Sequence, residues 1–210
     1  MVPPASRGPG RPPAAKAAET RKRILRAARE VFSERGYDAA TFQAIAVRAD
    51  LTRPAINHYF ADKRALYREV ATETYDMVVA ANIQRARGAT TLAGRVFALI
   101  DAATLADIEN RTASAFLITV ALESQRHPDL NHDEADSLRA TREFLSWAVG
   151  DAISRGELDS DTDAAALTET LLAVLLGVGF YAGFVATDEL VPVARQLHQL
   201  LAASLARRLD

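Results

Sequence analysis

The stretch from Thr41 to Lys63 constrains the fold of this chain more than any other, because it combines two short helical patterns with a tight turn. In the first pattern, apolar residues recur at i, i+3, i+4 and i+7, as on one face of a helix of about two turns. These residues are Phe42, Ile45, Ala46 and Ala49. Thr41 precedes this helix and Thr52 precedes the second, and threonine is a favoured N-cap residue. The arrangement predicts a helix-turn-helix.

The second helix of this pair has the composition of a surface that contacts DNA. Pro54 fits its first turn, where a missing N–H costs little, and Ile56 faces inward. The exposed side of the helix carries Arg53, Asn57 and His58. Because the second helix of a helix-turn-helix lies in the major groove, these polar residues are candidates for DNA contacts.

The same stretch resembles the TetR-family repressors, which carry the pattern A-G-V-S-x-x-[AT]-[LI]-Y-x-[HY]-F-x-x-K-x-x-L. The matching positions are Ala49, Leu51, Thr52, Ala55, Ile56, Tyr59, Phe60, Lys63 and Leu66, and the resemblance extends over about residues 20–70. Asp50 stands where the family usually has glycine, and aspartate tolerates a positive φ better than most residues. Asn57 replaces a phosphate-contacting tyrosine, and it can donate a hydrogen bond over a shorter reach.

The resemblance implies a role for each residue of the predicted DNA-binding set. Arg53 is expected to read a base edge, with guanine as the favoured partner of its guanidinium group. Gln43 and His58 are further candidates for base contacts. The side chains expected to hold phosphates are Thr41, Thr52, Tyr59 and Lys63. Pro54 and Asn57 complete the set.

The charge of the chain is unevenly distributed. Residues 1–70 contain 14 Lys and Arg against 7 Asp and Glu, whereas the remainder contains 11 against 20. A basic helical unit indicates phosphate binding, and an acidic remainder argues against a protein that coats nucleic acid nonspecifically. A first helix is predicted over residues 19–35 and ends at Gly36. Its positive residues are expected to face phosphates, namely Arg21, Lys22, Arg23, Arg26 and Arg29.

Residues 1–18 are too rich in Pro, Gly and Ala to bury a core, so they are predicted to form a disordered basic arm. Arg7 and Arg11 are candidates for the minor groove, because Gly10-Arg11-Pro12 resembles the core of peptides that insert arginine there. A solvated tail without DNA contact is the alternative.

The chain beyond Lys63 shows helical patterns and no sustained alternation of period two. Helices are predicted over residues 63–83, 91–107, 112–125, 133–155, 162–186 and 189–209. The predicted fold class is therefore all-α. It comprises an N-terminal three-helix helix-turn-helix DNA-binding domain, residues 19–66, and a C-terminal helical ligand-binding and dimerisation domain, residues 67–210.

Residues 171–186 contain no charged side chain and are apolar on every face, so this helix is expected to be buried all round. The 16 residues fall short of the roughly 20 that span a bilayer, and no membrane association is expected. A second copy of the chain is the favoured cover, and packing within one domain is the alternative. The predicted dimer residues are Leu175, Gly179, Gly183, Leu197 and Leu201.

Aromatic residues and isolated polar groups occur together within the apolar runs of the C-terminal half. In proteins resembling this one, such a domain encloses a pocket whose occupancy alters the spacing of two DNA-reading heads. The predicted lining residues are Phe97, Thr104, Phe116, Thr119, Glu123, Trp147 and Phe180. Ordinary core packing is the alternative for the aromatic residues.

The sequence predicts a cytoplasmic, homodimeric transcriptional regulator. We expect a repressor that binds a pseudo-palindromic double-stranded operator and is released by a small, mostly apolar effector. No catalytic site and no cofactor are expected: the chain has no cysteine, and its four candidate ligands match no strong metal pattern, namely His127, Asp129, His132 and Asp133. The alternatives are an all-α enzyme or small-molecule carrier with a basic end, and an architectural DNA-binding protein.

Overall fold

The computed structural model describes residues 13–104, 108–127, 130, 137–185 and 187–206. Every regular element in these ranges is helical, which confirms the all-α class. The helices are α1 (Pro13–Ala39), α2 (Phe42–Arg48), α3 (Arg53–Tyr59), α4 (Lys63–Thr74), α5 (Ala81–Arg87), α6 (Leu92–Thr104), α7 (Ile108–Arg126), α8 (Ser137–Ser154), α9 (Ala164–Phe184) and α10 (Thr187–Ala206).

Helix α1 begins earlier than its sequence pattern predicts. It starts at Pro13, so residues 13–18, which were expected to belong to the disordered arm, are helical. Proline suits the first turn of a helix, and the alanines that follow have the highest helix propensity. The backbone breaks at Gly36, where φ is 72°, as the predicted stop requires. Arg7 and Arg11 lie outside the described residues.

A first hydrophobic core fills the space between α1, α2, α3 and α4 and extends into the C-terminal half. Phe116 of α7 is fully buried in it, with its ring centroid 6.3 Å from that of Phe32 and 5.7 Å from that of Tyr67. Helix α7 is therefore part of the support on which the helix-turn-helix rests.

A continuous helical rod, residues 63–87, connects the two halves and contains a π-helix, Tyr75–Ala80, between α4 and α5. The sequence pattern predicted a plain helix here. Thr74 immediately precedes the π-helix and is fully buried. Its hydroxyl donates to the Val70 carbonyl at 2.6 Å and accepts from Arg29 Nε at 2.9 Å. A threonine hydroxyl that bonds back to its own helix bends that helix, and the arginine that completes this contact comes from α1.

A second core contains residues of α5, α6, α8, α9 and α10. Helix α9 lies within this unit, and one chain alone does not bury it all round; its cover by a second copy stays a prediction. One side of α9 is buried, including Leu172 and Val178, whereas Leu176, Phe180 and Phe184 are exposed. By length and composition α9 is apolar enough to cross a membrane, yet only 22% of its most apolar window is buried. An exposed face this apolar indicates a surface that another molecule covers.

The predicted dimer residues differ in their surroundings within one chain. A Cβ atom on Gly183 would lie 2.7 Å from the Ala115 backbone, so Gly183 admits α7 of the same chain. A Cβ on Gly179 would lie 3.4 Å from Ile118 Cδ1, which is an ordinary contact. Leu197 and Leu201 pack against the second core, Leu175 lines a cavity, and all three are partly exposed. The dimer role of these five residues stays a prediction.

Candidate nucleic-acid interface and cavity

The turn between α2 and α3 has the local geometry that the sequence predicts. The Thr41 hydroxyl accepts a hydrogen bond from Ala44 N at 3.1 Å, and the Thr52 hydroxyl accepts from Ala55 N at 3.4 Å. Each hydroxyl keeps its own proton for another acceptor. Asp50 has φ of 51°, which places it in the left-handed region. The two N-caps and the tolerant aspartate are thus confirmed.

The outer face of α3 is polar and open to solvent. Arg53, Pro54, Asn57 and His58 are all exposed. Within the described part of the chain, the side chains of Arg53 and Asn57 have no hydrogen-bond or ion-pair partner. Gln43 of α2 is exposed as well. Polar groups held at a rigid surface without internal partners are free to bond to an external ligand.

The other DNA-contact candidates differ in exposure. Thr41 and Thr52 are exposed at the two N-caps, whereas Tyr59 is half-buried at the end of α3. The Tyr59 ring meets the His58 ring edge-on, with centroids 5.4 Å apart. These residues surround the free face of α3.

Lys63 does not point to solvent as a phosphate ligand would. Its ammonium group donates to three carbonyl oxygens at the end of α1, those of Tyr37 (2.7 Å), Asp38 (3.1 Å) and Ala40 (3.2 Å). It also lies 4.4 Å from the centroid of the Tyr37 ring. Because an ammonium group has three N–H donors, all of them are used inside the protein. The predicted phosphate role of Lys63 is therefore corrected to that of a positioning residue between α1 and α4.

Several further cations of the basic half are paired internally. Arg48 of α2 binds Glu30 at 2.9 Å and Glu34 at 2.8 Å, both on α1. The hydrogen bond from Arg48 lowers the pKa of the Glu34 carboxyl. These pairs fix α2 against α1, so the basic excess of the first 70 residues overstates the charge available to DNA.

The basic side of α1 is divided in the same way. Arg21 pairs with Glu69 of α4. Arg29 is almost fully buried and donates to Glu73 at 2.9 Å. The expectation that all five basic residues of α1 face phosphates is wrong for these two. Lys22 is exposed and has no partner among the described residues, so it remains available to a phosphate.

The C-terminal half contains a partly open cavity of about 350 Å³. Its walls come from the π-helix and from α5, α6, α7, α8 and α9. Most of the lining is aliphatic, including Leu99, Leu117, Ile118 and Leu172. A volume and composition of this kind are typical of a site for a small, largely apolar molecule.

All seven predicted lining residues are described, and none of them lines this cavity. Phe116 belongs to the first core, Thr119 donates to the Ala115 carbonyl, and Glu123 lies against the end of α1. Phe97 stacks on His198, and Thr104 donates to the Asp101 carbonyl. Trp147 and Phe180 are exposed on α8 and α9. None of the seven therefore lines this cavity, and their role in ligand binding stays a prediction.

Glu123 and His127 instead join the two halves. The Glu123 carboxylate is buried and accepts from Tyr37 N at 3.4 Å, and a Cβ on Gly36 would lie 2.8 Å from its Oε1 atom. His127 Nε2 lies 3.1 Å from Asp38 Oδ2. The end of α7 therefore contacts the segment that leads from α1 into α2.

The sequence reasoning missed the polar residues that line the cavity, in particular Asn82 and Arg85. One signal was available. Arg85 has no acidic residue three or four positions away, so no helical ion pair explains it. Among the described residues, no three His, Asp or Glu side chains are grouped as a metal site requires.

Comparison with known proteins gives a consistent result. Residues 24–70 match the family model for bacterial regulatory proteins of the tetR family. The HTH-type transcriptional regulator UidR of Escherichia coli K12 is 26% identical over 159 residues, which cover 76% of this chain and 79% of UidR.

Solved structures share the fold. Salmonella enterica GusR superposes with a TM-score of 0.67 and 24% identity, over 90% of this chain and 96% of GusR. AibR, solved in complex with isovaleryl coenzyme A and operator DNA, gives a TM-score of 0.65 and 16% identity, over 86% of this chain and 97% of AibR.

Proposed function

The chain belongs to the TetR family of bacterial transcriptional regulators, and we propose that it is a homodimeric repressor that a small, mostly apolar molecule releases from its operator. It is a DNA-binding regulator and not an enzyme. The proposal rests on the contrast between paired and unpaired cations in the N-terminal 70 residues. Arg53 on α3 is unpaired within the described chain, whereas Lys63, Arg48, Arg21 and Arg29 are engaged inside the protein.

In this proposal α3 lies in the major groove, where Arg53 reads a guanine. Gln43 and His58 contact neighbouring bases. The hydroxyls of Thr41 and Thr52 donate to phosphates while their oxygens cap the helices. The remaining contacts of the α3 surface come from Pro54, Asn57 and Tyr59. A minor-groove contact by the arm, through Arg7 and Arg11, stays a prediction.

Operator binding by the Arg53→Ala variant tests the recognition role. Loss of a bidentate contact to guanine is expected to weaken operator binding by about 1–3 kcal/mol and to relax discrimination at one base position. Lys22→Ala is the matched control. It removes an exposed α1 cation that has no internal partner, so it should weaken operator and random duplex alike and reduce the salt slope by about one ion. Equal losses on operator and random duplex for Arg53→Ala would contradict the base-reading role.

The exposed face of α9 supports assembly through that helix. Leu176, Phe180 and Phe184 are 37%, 49% and 44% exposed within one chain, and the rings of the two phenylalanines stack at 5.3 Å. A second copy related by a two-fold axis would cover these residues with the same residues. Two heads on one dimer would read half-sites about 34–36 Å apart, or a multiple of that spacing.

Sedimentation of Phe180→Glu tests this interface. A carboxylate in the centre of the apolar face is expected to give monomers that bind operator weakly. Leu122→Glu is the control, because Leu122 is 59% exposed on α7 and outside the α9 stripe. A Phe180→Glu protein that sediments as a stable dimer would remove α9 from the interface.

The cavity supports the release step through its position. Met77, Val78 and Val79 of the π-helix line it, and this π-helix continues directly from α4, which packs in the first core. A ligand that prefers the arrangement unable to bind DNA needs only about 1.4 kcal/mol of differential affinity for a tenfold loss of operator binding. Operator DNA must weaken the ligand by the same factor.

Filling the cavity tests the release step. Ala103→Phe places a ring among the lining residues and is expected to abolish the response to effector while operator binding remains. Ala202→Phe, on the exposed side of α10, should respond normally. Effectors found by thermal-shift screening are then titrated with and without operator, and equal affinities in the two titrations would show that the cavity is not the switch.

A further inference from the structure

One side chain sets the charge of the cavity. Among the described lining residues, Arg85 of α5 is the only charged one, and the others are aliphatic or carry neutral polar groups. Its Nη1 atom donates to Asn82 Oδ1 at 2.9 Å, and Asn82 also lines the cavity. Within the described chain no carboxylate pairs with Arg85. Arg85 is exposed, so its positive charge lies where the cavity opens to solvent.

The arginines around this region have other partners. Arg95 binds Asp151 and Arg155 binds both Asp151 and Glu157. Arg87, two residues after Arg85, lies with its Cζ atom 4.9 Å from the centroid of the Trp147 ring. The guanidinium group of Arg85 lines the cavity and is bonded only to a neutral amide. It therefore retains N–H donors in the fork geometry that suits a carboxylate.

Arg85 lies in the part of the cavity away from the DNA-binding unit. On the connecting rod, Thr74 contacts Arg29 of α1, and Arg85 follows it by about 16 Å. The lining residues nearer to α1, such as Met77, are apolar.

We propose that the effector is a medium-chain monocarboxylate, whose carboxylate binds Arg85 and whose apolar chain extends toward the π-helix. The inference rests on the proposed function, because it names the ligand of the same cavity. A volume of about 350 Å³ has room for roughly a dozen non-hydrogen atoms, if each takes about the 30 Å³ of a liquid water. Carboxylates of about eight to ten carbons have this size.

The test compares octanoate, octan-1-ol and octylammonium as ligands of the full-length protein in the absence of DNA, by calorimetric titration. The three probes share one chain and differ in the charge of the head group. Octanoate should bind about tenfold more tightly than octan-1-ol, because a charge-assisted hydrogen bond is stronger than a neutral one. Octylammonium should bind most weakly, since it meets Arg85 with like charge.

Two variants test whether Arg85 causes the preference for octanoate over octan-1-ol. Arg85→Gln should weaken octanoate about tenfold and leave octan-1-ol unchanged, which removes the preference. Arg87→Gln, on the same helix but against Trp147, should leave all three affinities unchanged. Equal binding of octanoate and octan-1-ol, preference for octylammonium, equal effects of the two variants, or no binding of any probe would each overturn the assignment.

A separate titration with operator distinguishes this inference from the proposed function. Octanoate that binds through Arg85 without weakening operator binding would leave the ligand class standing and would contradict release through the cavity. If another compound releases the operator and the protein does not bind octanoate, release through the cavity would stand and the proposed ligand class would be contradicted.

Discussion

Helices α7 and α9 approach closely at Gly183, and this contact holds α7 against the DNA-binding unit. The Gly183→Ala variant tests the contact. The new methyl carbon would lie 2.7 Å from both N and Cα of Ala115 and 3.0 Å from its Cβ. Carbon atoms pack at about 3.5–4.0 Å, so the helices must separate by roughly 1 Å. The opposing atoms belong to backbone and cannot rotate away.

The magnitude follows from two opposed terms. Overpacking of a core contact costs about 1–3 kcal/mol, and replacing a helical glycine by alanine contributes up to about 1 kcal/mol of helix propensity, a gain that is smaller for Gly183 in the last turn of α9. Gly150→Ala supplies the second term alone, because a Cβ at that position of α8 meets no atom within 4 Å. Gly183→Ala should therefore be less stable than Gly150→Ala by about 1–3 kcal/mol.

Urea unfolding of both variants, at one protein concentration so that dimerisation contributes equally, measures this difference. Operator affinity should fall for Gly183→Ala as well, because α7 carries Phe116 into the first core and Glu123 to the end of α1. Equal stability of the two variants would refute the view that α7 and α9 are too close at Gly183 to admit a methyl group.

Two further predictions concern internal ion contacts. Lys63→Met leaves three carbonyls at the end of α1 without their donor, so urea unfolding should show a loss of about 1–3 kcal/mol; unchanged stability with weakened DNA binding would restore the phosphate role. Arg95 lowers the pKa of the Asp151 carboxyl, so the pair stabilises the fold above the ordinary carboxyl pKa and loses this effect as the pH falls through the folded value. Asp151→Asn should therefore be destabilised at neutral pH, with a gap to the parent that narrows in acid; a gap that does not change with pH in urea titrations would contradict this linkage.

The helix-turn-helix was predictable because its determinants are local. Each N-cap bonds to a backbone N–H only three residues away, and the turn depends on the tolerance of Asp50 for positive φ. The exposed side of α3 follows from the spacing of Ile56 and its neighbours along a helix of two turns.

The sequence by itself thus determined the all-α class, the position of the helix-turn-helix and the residues on the outer face of α3. Only the tertiary structure decided which cations are free, which face of α9 is outside and which residues enclose the cavity. Lys63 is bound by carbonyls more than 20 residues earlier in the chain, and Gly183 admits Ala115 from another helix. A periodic pattern identifies an apolar face but not its partner, because burial and hydrogen bonding depend on distances between helices that are far apart in the sequence.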